Sequence, residues 1–222
     1  MQLKNSFFPA IEDAEITDLT VGDILRIAAK EDPDKVALVE TNMECELGQE
    51  WTYQELLQDS ERLAYNLLNQ FNPGDKIAVW SPNTAEWVIL EFACALSGMV
   101  LVTVNPSYQV NELHYVLEQS QSSALYLIHE YRGNPMLEIA QKATKDLPNI
   151  KSIIDMDNKD EFYGIGVSPV DLPEVKPADA AQMPLPPPLR AMQTVPPGQS
   201  DARTSAWSDL GSGELLRTAT RS

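Results

Sequence analysis

Positive charge is scarce in this chain of 222 residues: 16 Lys and Arg stand against 33 Asp and Glu, a formal net charge of −17. Such a surface repels duplex nucleic acid and anionic bilayers unless a local basic patch overrides the field, and no run of Lys and Arg supplies one. No nucleic-acid partner is expected; the acidity serves solubility. Long apolar runs are also missing. None reaches the roughly 18 residues needed to cross a bilayer, so no membrane span is expected. The N-terminus, MQLKNSFFPAIEDAEI, has no extended apolar core of a secretory signal, and no Arg precedes Arg26, which disfavours a mitochondrial presequence. The expected location is cytoplasmic.

Cysteine and histidine number two each, Cys45, Cys94, His114 and His129, and they form no recognisable metal set. Cys94 lies in an apolar run and reads as a buried free thiol, which fits a reducing compartment. A disulfide with Cys45 would need the two brought close, which spacing does not show. The histidines read as surface or strand-end residues. No G-x-S-x-G elbow and no Ser-His-Asp arrangement stands out. With 33 carboxylates, a pair for acid–base work can be chosen at will and carries no information.

What is present is an α/β pattern with enough apolar content, 43%, for one good-sized core. Residues 1–19 read as irregular. Thr20 caps a helix with Asp23 in its acidic first turn, an apolar face of Ile24, Leu25, Ile27 and Ala28, and a stop at Pro33. Val36–Val39 is a short strand and Gln49–Thr52 its candidate partner, joined by Asn42–Gly48. Thr52-Tyr-Gln-Glu55 is a capping box opening a helix whose stripe is Tyr53, Leu56, Leu57, Leu63, Ala64, Leu67, Leu68 and Phe71, ended by Pro73-Gly74.

Regular alternation follows. Lys76–Trp80 is a strand. Asn83 caps a buried helix from Thr84 to Ser97, with Glu86 at its third position and Gly98 as the left-handed exit. Met99–Val104 is a strand closed by Asn105-Pro106, Asn111–Gln119 a helix and Ser123–Ile128 a strand. Asn134-Pro135 opens a helix to about Lys145, and Ile150–Met156 is a further strand. Four short apolar strands separated by three helices predict a mostly parallel, doubly wound α/β sheet with helices on both faces.

The expected organisation is an irregular segment over 1–19, an α/β region over 20–158, an extended linker over 159–182 and a disordered tail over 183–222. The tail holds six of the sixteen prolines, its basic residues are all Arg, and it lacks Ile, Phe and Tyr. Gly211-Ser-Gly213 follows no strand and reads as linker.

Several pieces together resemble the N-terminal portion of the AMP-forming acyl-CoA synthetases, the fatty-acid–CoA ligases of the adenylate-forming family. They are Trp51-Thr-Tyr-Gln-Glu-Leu56, Gly74-Asp-Lys-Ile-Ala-Val-Trp-Ser-Pro-Asn83 and Glu86-Trp87. After them come Ala95-Leu-Ser-Gly-Met-Val-Leu-Val-Thr-Val-Asn-Pro106, Tyr108 and Glu112-Leu-His-Tyr-Val-Leu117. The resemblance covers roughly residues 18 to 182 and is specific in aggregate. It implies a partial N-terminal subdomain of the adenylate-forming fold and a parent reaction in which fatty acid, ATP and CoA give acyl-CoA, AMP and pyrophosphate, with Mg²⁺ present. In this family a lead-in like Asp179-Ala-Ala-Gln182 precedes a glycine- and hydroxyl-rich loop whose amides cradle phosphate. Here the next residues are Met-Pro-Leu-Pro-Pro-Pro-Leu.

No catalytic, cofactor-binding or metal-binding residue is therefore assigned, and no cofactor is expected for this chain alone; ATP, Mg and CoA belong to the parent family. Trp80 and Trp87 read as core, Tyr53 and Glu55 as helix-start chemistry, Asn105-Pro106 as a turn, and Glu112 and Glu118 as solvated helix positions. The expected product is a truncated synthetase, inactive by itself. The alternatives are a non-catalytic fragment that self-associates or docks on a homologue or complementary fragment through the face left exposed by truncation, and a non-functional product of a frame change or altered exon junction after Gln182.

Overall fold

The computed structural model describes residues 17–41 and 46–184, all within the first of two compact units, residues 1–186. Residues 1–16 of the segment expected to be irregular over 1–19, Cys45 and the tail from residue 185 onward lie outside the described residues.

Helix α1 spans Val21–Glu31 and begins as the sequence predicts. The Thr20 side chain accepts from the Asp23 amide at 3.1 Å while Asp23 Oδ2 accepts from the Thr20 amide at 3.1 Å. Its buried face differs from expectation. Gly22, Leu25 and Ala29 pack inward, whereas Ile24 and Ile27 turn outward. The inward side is chosen by close approach: a Cβ on Gly22 would lie 3.1 Å from the Leu96 side chain. Strands β1 (Val36–Thr41) and β2 (Leu47–Thr52) form an antiparallel pair. Helix α2 (Tyr53–Gln70) carries the second capping box, in which Thr52 and Glu55 satisfy one another's orphan amides, and buries Leu56, Leu63, Ala64 and Leu67.

The central sheet contains β3 (Lys76–Trp80), β4 (Val100–Val104), β5 (Ala124–Leu127), β8 (Ser152–Asp155) and β9 (Gln182–Pro184). It is parallel throughout, in the order β8-β5-β3-β4-β9. Helices α3 (Ala85–Ser97), α4 (Val110–Ser120) and α5 (Met136–Thr144) connect successive strands. Between β5 and α5 a two-residue pairing, β6 (Glu130–Tyr131) with β7 (Asn134–Pro135), turns through Arg132 and Gly133 at positive φ.

Strand residues alternate between two cores, as period-two geometry requires. Ile77, Val79, Leu101, Ala124, Tyr126 and Ile154 face α1, α2, α3 and a short helix α6 (Lys159–Tyr163). Ala78, Trp80, Val102, Val104, Leu125 and Leu127 face α4 and α5. Covering both faces explains why the strands are nearly continuous in apolar residues, and α3, whose apolar side chains go almost all round, is sunk between α2, α1 and the sheet.

Four expectations are corrected. The α3 cap is Thr84, whose hydroxyl accepts the Trp87 amide at 3.2 Å, not Asn83, which is exposed. Pro135 precedes the first residue of α5 because Asn134 and Pro135 are held in the β6–β7 pairing. Residues 159–163, expected as the start of an extended connection, form α6, capped by Asn158 and anchored by buried Phe162. Met183 and Pro184, expected in the tail, complete β9, whose backbone is ordered by pairing with β4.

Candidate functional site

In an open parallel sheet, ligands bind beyond the carboxyl ends of the strands, where successive connections leave for opposite faces. That point lies between β3 and β5. The chain leaving β3 enters α3 on one face, and the chain leaving β5 enters α5 on the other. The crevice of that rule is bordered by Ser81–Thr84 and residues 128–135, with Asn105–Gln109 on the β4 side.

Its walls are held by local polar bonds. Trp80 is wholly buried, and its indole N–H donates to the Asn105 carbonyl at 2.9 Å, tying the end of β3 to the turn after β4. The same carbonyl accepts the Tyr108 amide at 3.0 Å, and the Asn105 side-chain oxygen accepts the Ser107 amide at 2.9 Å. Asn105-Pro106 is thus a closed turn, as expected. Ser81 Oγ donates to the Pro82 carbonyl at 2.8 Å, which occupies its proton. Tyr108 is half-buried; burial, with the Glu112 carboxylate second, raises its phenol above the ordinary range. Glu112, expected on a solvated face, is half-buried and instead caps α4, accepting the Gln109 amide at 3.1 Å, while Glu118 is exposed as expected.

Beside the crevice, the ends of β5 and β8 carry an acidic cluster around His129. Asp157 accepts the His129 amide at 2.9 Å, and Asp155 lies 3.7 Å from the imidazole, which is largely exposed. On the α3 side, Glu86 in the first turn pairs with Lys159 of α6. Tyr53 and Glu55 sit at the start of α2.

None of these groups is poised for covalent chemistry. Cys94 is fully buried, and burial, then Glu91, pushes its thiol far above the ordinary value, so it is no nucleophile. Glu91 itself is raised by burial. His114 is spent on the Ala143 carbonyl at 2.8 Å. Among the described residues no three His, Cys, Asp or Glu side chains are grouped to hold a metal ion.

What the sequence did not reveal is β9. Asp179 closes a turn with Lys176 through two backbone-linked bonds, the Ala181 carbonyl accepts the Leu101 amide at 3.0 Å, and Gln182–Pro184 then run parallel to Leu101–Thr103. The lead-in noted above is therefore a strand entry, and β9, parallel to β4, runs toward the carboxyl end of the sheet. Three residues are too few to show alternation. The one signal available was the run Ala180-Ala181 before Gln182, which is not distinctive.

A profile of AMP-binding enzymes matches residues 25–190. A protein of Bacillus subtilis (strain 168) named as an acyl-CoA synthetase, YngI, is 34% identical over 139 residues, covering 62% of this chain and 25% of its own length. The Homo sapiens medium-chain acyl-CoA ligase ACSF2, a mitochondrial protein, is 29% identical over 166 residues, covering 68% and 26%. Among solved structures, one from Rhodopseudomonas palustris CGA009, described as a long-chain-fatty-acid CoA ligase, superposes with a TM-score of 0.61 at 28% identity, over 73% of this chain and 40% of that one. The chain thus spans about a quarter of the length of the curated relatives it matches. Among the described residues no helix is long and apolar enough to cross a membrane.

Proposed function

The chain belongs to the AMP-binding enzyme family, and on that premise we propose that it is the first α/β part of a fatty-acyl-CoA synthetase which does not adenylate by itself. The parent reaction joins a fatty acid to CoA at the expense of ATP, forming AMP and pyrophosphate. The observation that carries the proposal is the course of β9. It carries the chain toward the carboxyl end of the sheet, the end at which backbone amides are required to hold phosphate. The residues that follow are Leu185-Pro186-Pro187-Pro188. Proline has no amide hydrogen, so this stretch offers three consecutive positions without a donor. The described crevice residues do not fit a nucleotide triphosphate or its magnesium either. Its nearby carboxylates, Glu86, Asp155 and Asp157, are engaged with Lys159 or His129, and they oppose a polyanion.

Isothermal titration with MgATP tests the proposal: no saturable binding up to millimolar nucleotide is expected, and a micromolar Kd overturns it. The free thiol of Cys94 supports work in a reducing compartment such as the cytoplasm.

A second role is favoured by the sheet order. Strand β9 is one of the two edge strands, with β8 at the other edge, and its far side pairs with nothing among the described residues. An unpaired edge in an otherwise covered parallel sheet suits addition of a strand from a second chain, such as a homologue or a complementary fragment of the same enzyme. Co-expression with residues supplying the remainder of a synthetase, followed by size-exclusion chromatography, tests this; separate elution counts against it.

A further inference from the structure

Helix α1 shows apolar side chains on two sides, and only one side is buried. Gly22, Leu25 and Ala29 face the core. Val21, Ile24 and Ile27 line the outer side, with Ile24 56% and Ile27 39% exposed, and Leu19 extends the strip to the helix start at 42%. Leu19 and Val21 are also walls of a cleft of about 110 Å³, whose opposite wall is Val175, Lys176 and Pro177 in the segment leading to β9. The cleft has room for about one side chain, and a peptide side chain fits it.

We propose that this strip and cleft are covered by the chain's own N-terminal residues 1–16, with Phe7 or Phe8 seated in the cleft and Ile11 and Ile16 along α1. That segment enters the described structure at Thr17, two residues from Leu19, so it is tethered beside the strip. It carries Leu3, Phe7, Phe8, Ile11 and Ile16. An extended chain from Phe8 to Leu19 spans at most roughly 36 Å. The strip from Val21 to Ile27 is only about 9 Å long, so reach is not limiting. Short tethers give effective concentrations in the millimolar range, which favours this occupant over a second molecule in dilute solution. The inference is independent of whether the chain adenylates.

The test places p-benzoylphenylalanine at position 7, and separately at position 8, in the full chain, with irradiation and peptide mapping. Crosslinks within one molecule onto residues 19–27 or 175–181 are expected. The variant Ile24→Lys, at an already exposed position, should keep the thermal melt cooperative and lower the yield about tenfold, the scale set by one lost apolar side-chain contact. Crosslinks that join two copies identify self-association as the occupant and overturn the proposal. So do crosslinks confined to other parts of the chain, the absence of any crosslink, and a yield unaffected by Ile24→Lys.

Discussion

Replacing Gly164 with alanine probes how the chain is steered from β8 across the molecule to β9. Gly164 ends α6 at φ 74° and ψ 142°, a region essentially reserved for glycine. Forcing alanine there costs about 1–3 kcal/mol of backbone strain. A Cβ at this position would also lie 2.6 Å from Asn66 Oδ1. Asn66 is buried on α2, where its amide donates to the Phe162 carbonyl at 3.3 Å and its oxygen accepts from Gln70 at 3.0 Å. Displacing Asn66 breaks the bond joining α2 to α6, about another 1 kcal/mol. The expected total is a loss of about 2–4 kcal/mol. Urea unfolding of the full chain, followed by tryptophan fluorescence and circular dichroism, measures it as a lower midpoint at unchanged slope. In an Asn66→Ala background the steric part is gone, so Gly164→Ala should cost about 1 kcal/mol less than in the native background, a coupling visible in a double-mutant cycle. A change below about 0.5 kcal/mol for Gly164→Ala, or strict additivity with Asn66→Ala, refutes the placement of α6 against α2.

Three further outcomes follow from the same structure. Trp80→Phe removes the bond to the Asn105 carbonyl and leaves a small void in a fully buried site, and should lower unfolding stability by about 2 kcal/mol, read by urea titration. Stability should decline as pH rises past about 9. Burial raises the Cys94 thiol above its ordinary 9.0 and the Tyr126 and Tyr163 phenols above 10.0, so their contribution is complete below those values and disappears as the unfolded chain ionises first. A pH series of thermal melts checks this, and Cys94→Ser should flatten its onset. At the acid end, hydrogen bonds from Thr20 and Thr52 lower Asp23 below 3.8 and Glu55 below 4.5. Their contribution is present above those values and is lost as pH falls through and below them; Glu55→Gln should shrink that acid limb of the melt series.

The sequence was most legible where a local rule and the tertiary structure agree. The cap at Thr20, the capping box at Thr52 and the left-handed Gly98 stand where residue types demand them. The strands β3, β4, β5 and β8 were readable because burial on both faces removes alternation and leaves short apolar runs. The outer side of α1 was misjudged because periodicity marks apolar residues without saying which of two adjacent apolar sides meets the core; the close approach of Gly22 to Leu96 settled it. Asn83 and Thr84 are both competent caps, and only the path of the chain out of β3 selects Thr84. Strand β9 was illegible because its order comes from β4, eighty residues away, rather than from its own composition. The crevice was invisible for a related reason. A bond such as Trp80 to Asn105 depends on strand order, which no single segment encodes.

The central claim is that this chain carries the scaffold of an acyl-CoA synthetase without its adenylating centre. ATP–pyrophosphate exchange by the purified chain, with medium- and long-chain fatty acids and Mg²⁺ supplied, tests it most directly. Exchange indistinguishable from a no-protein blank is predicted. Fatty-acid-dependent exchange that co-purifies with the chain and disappears when residues 183–222 are removed would contradict it.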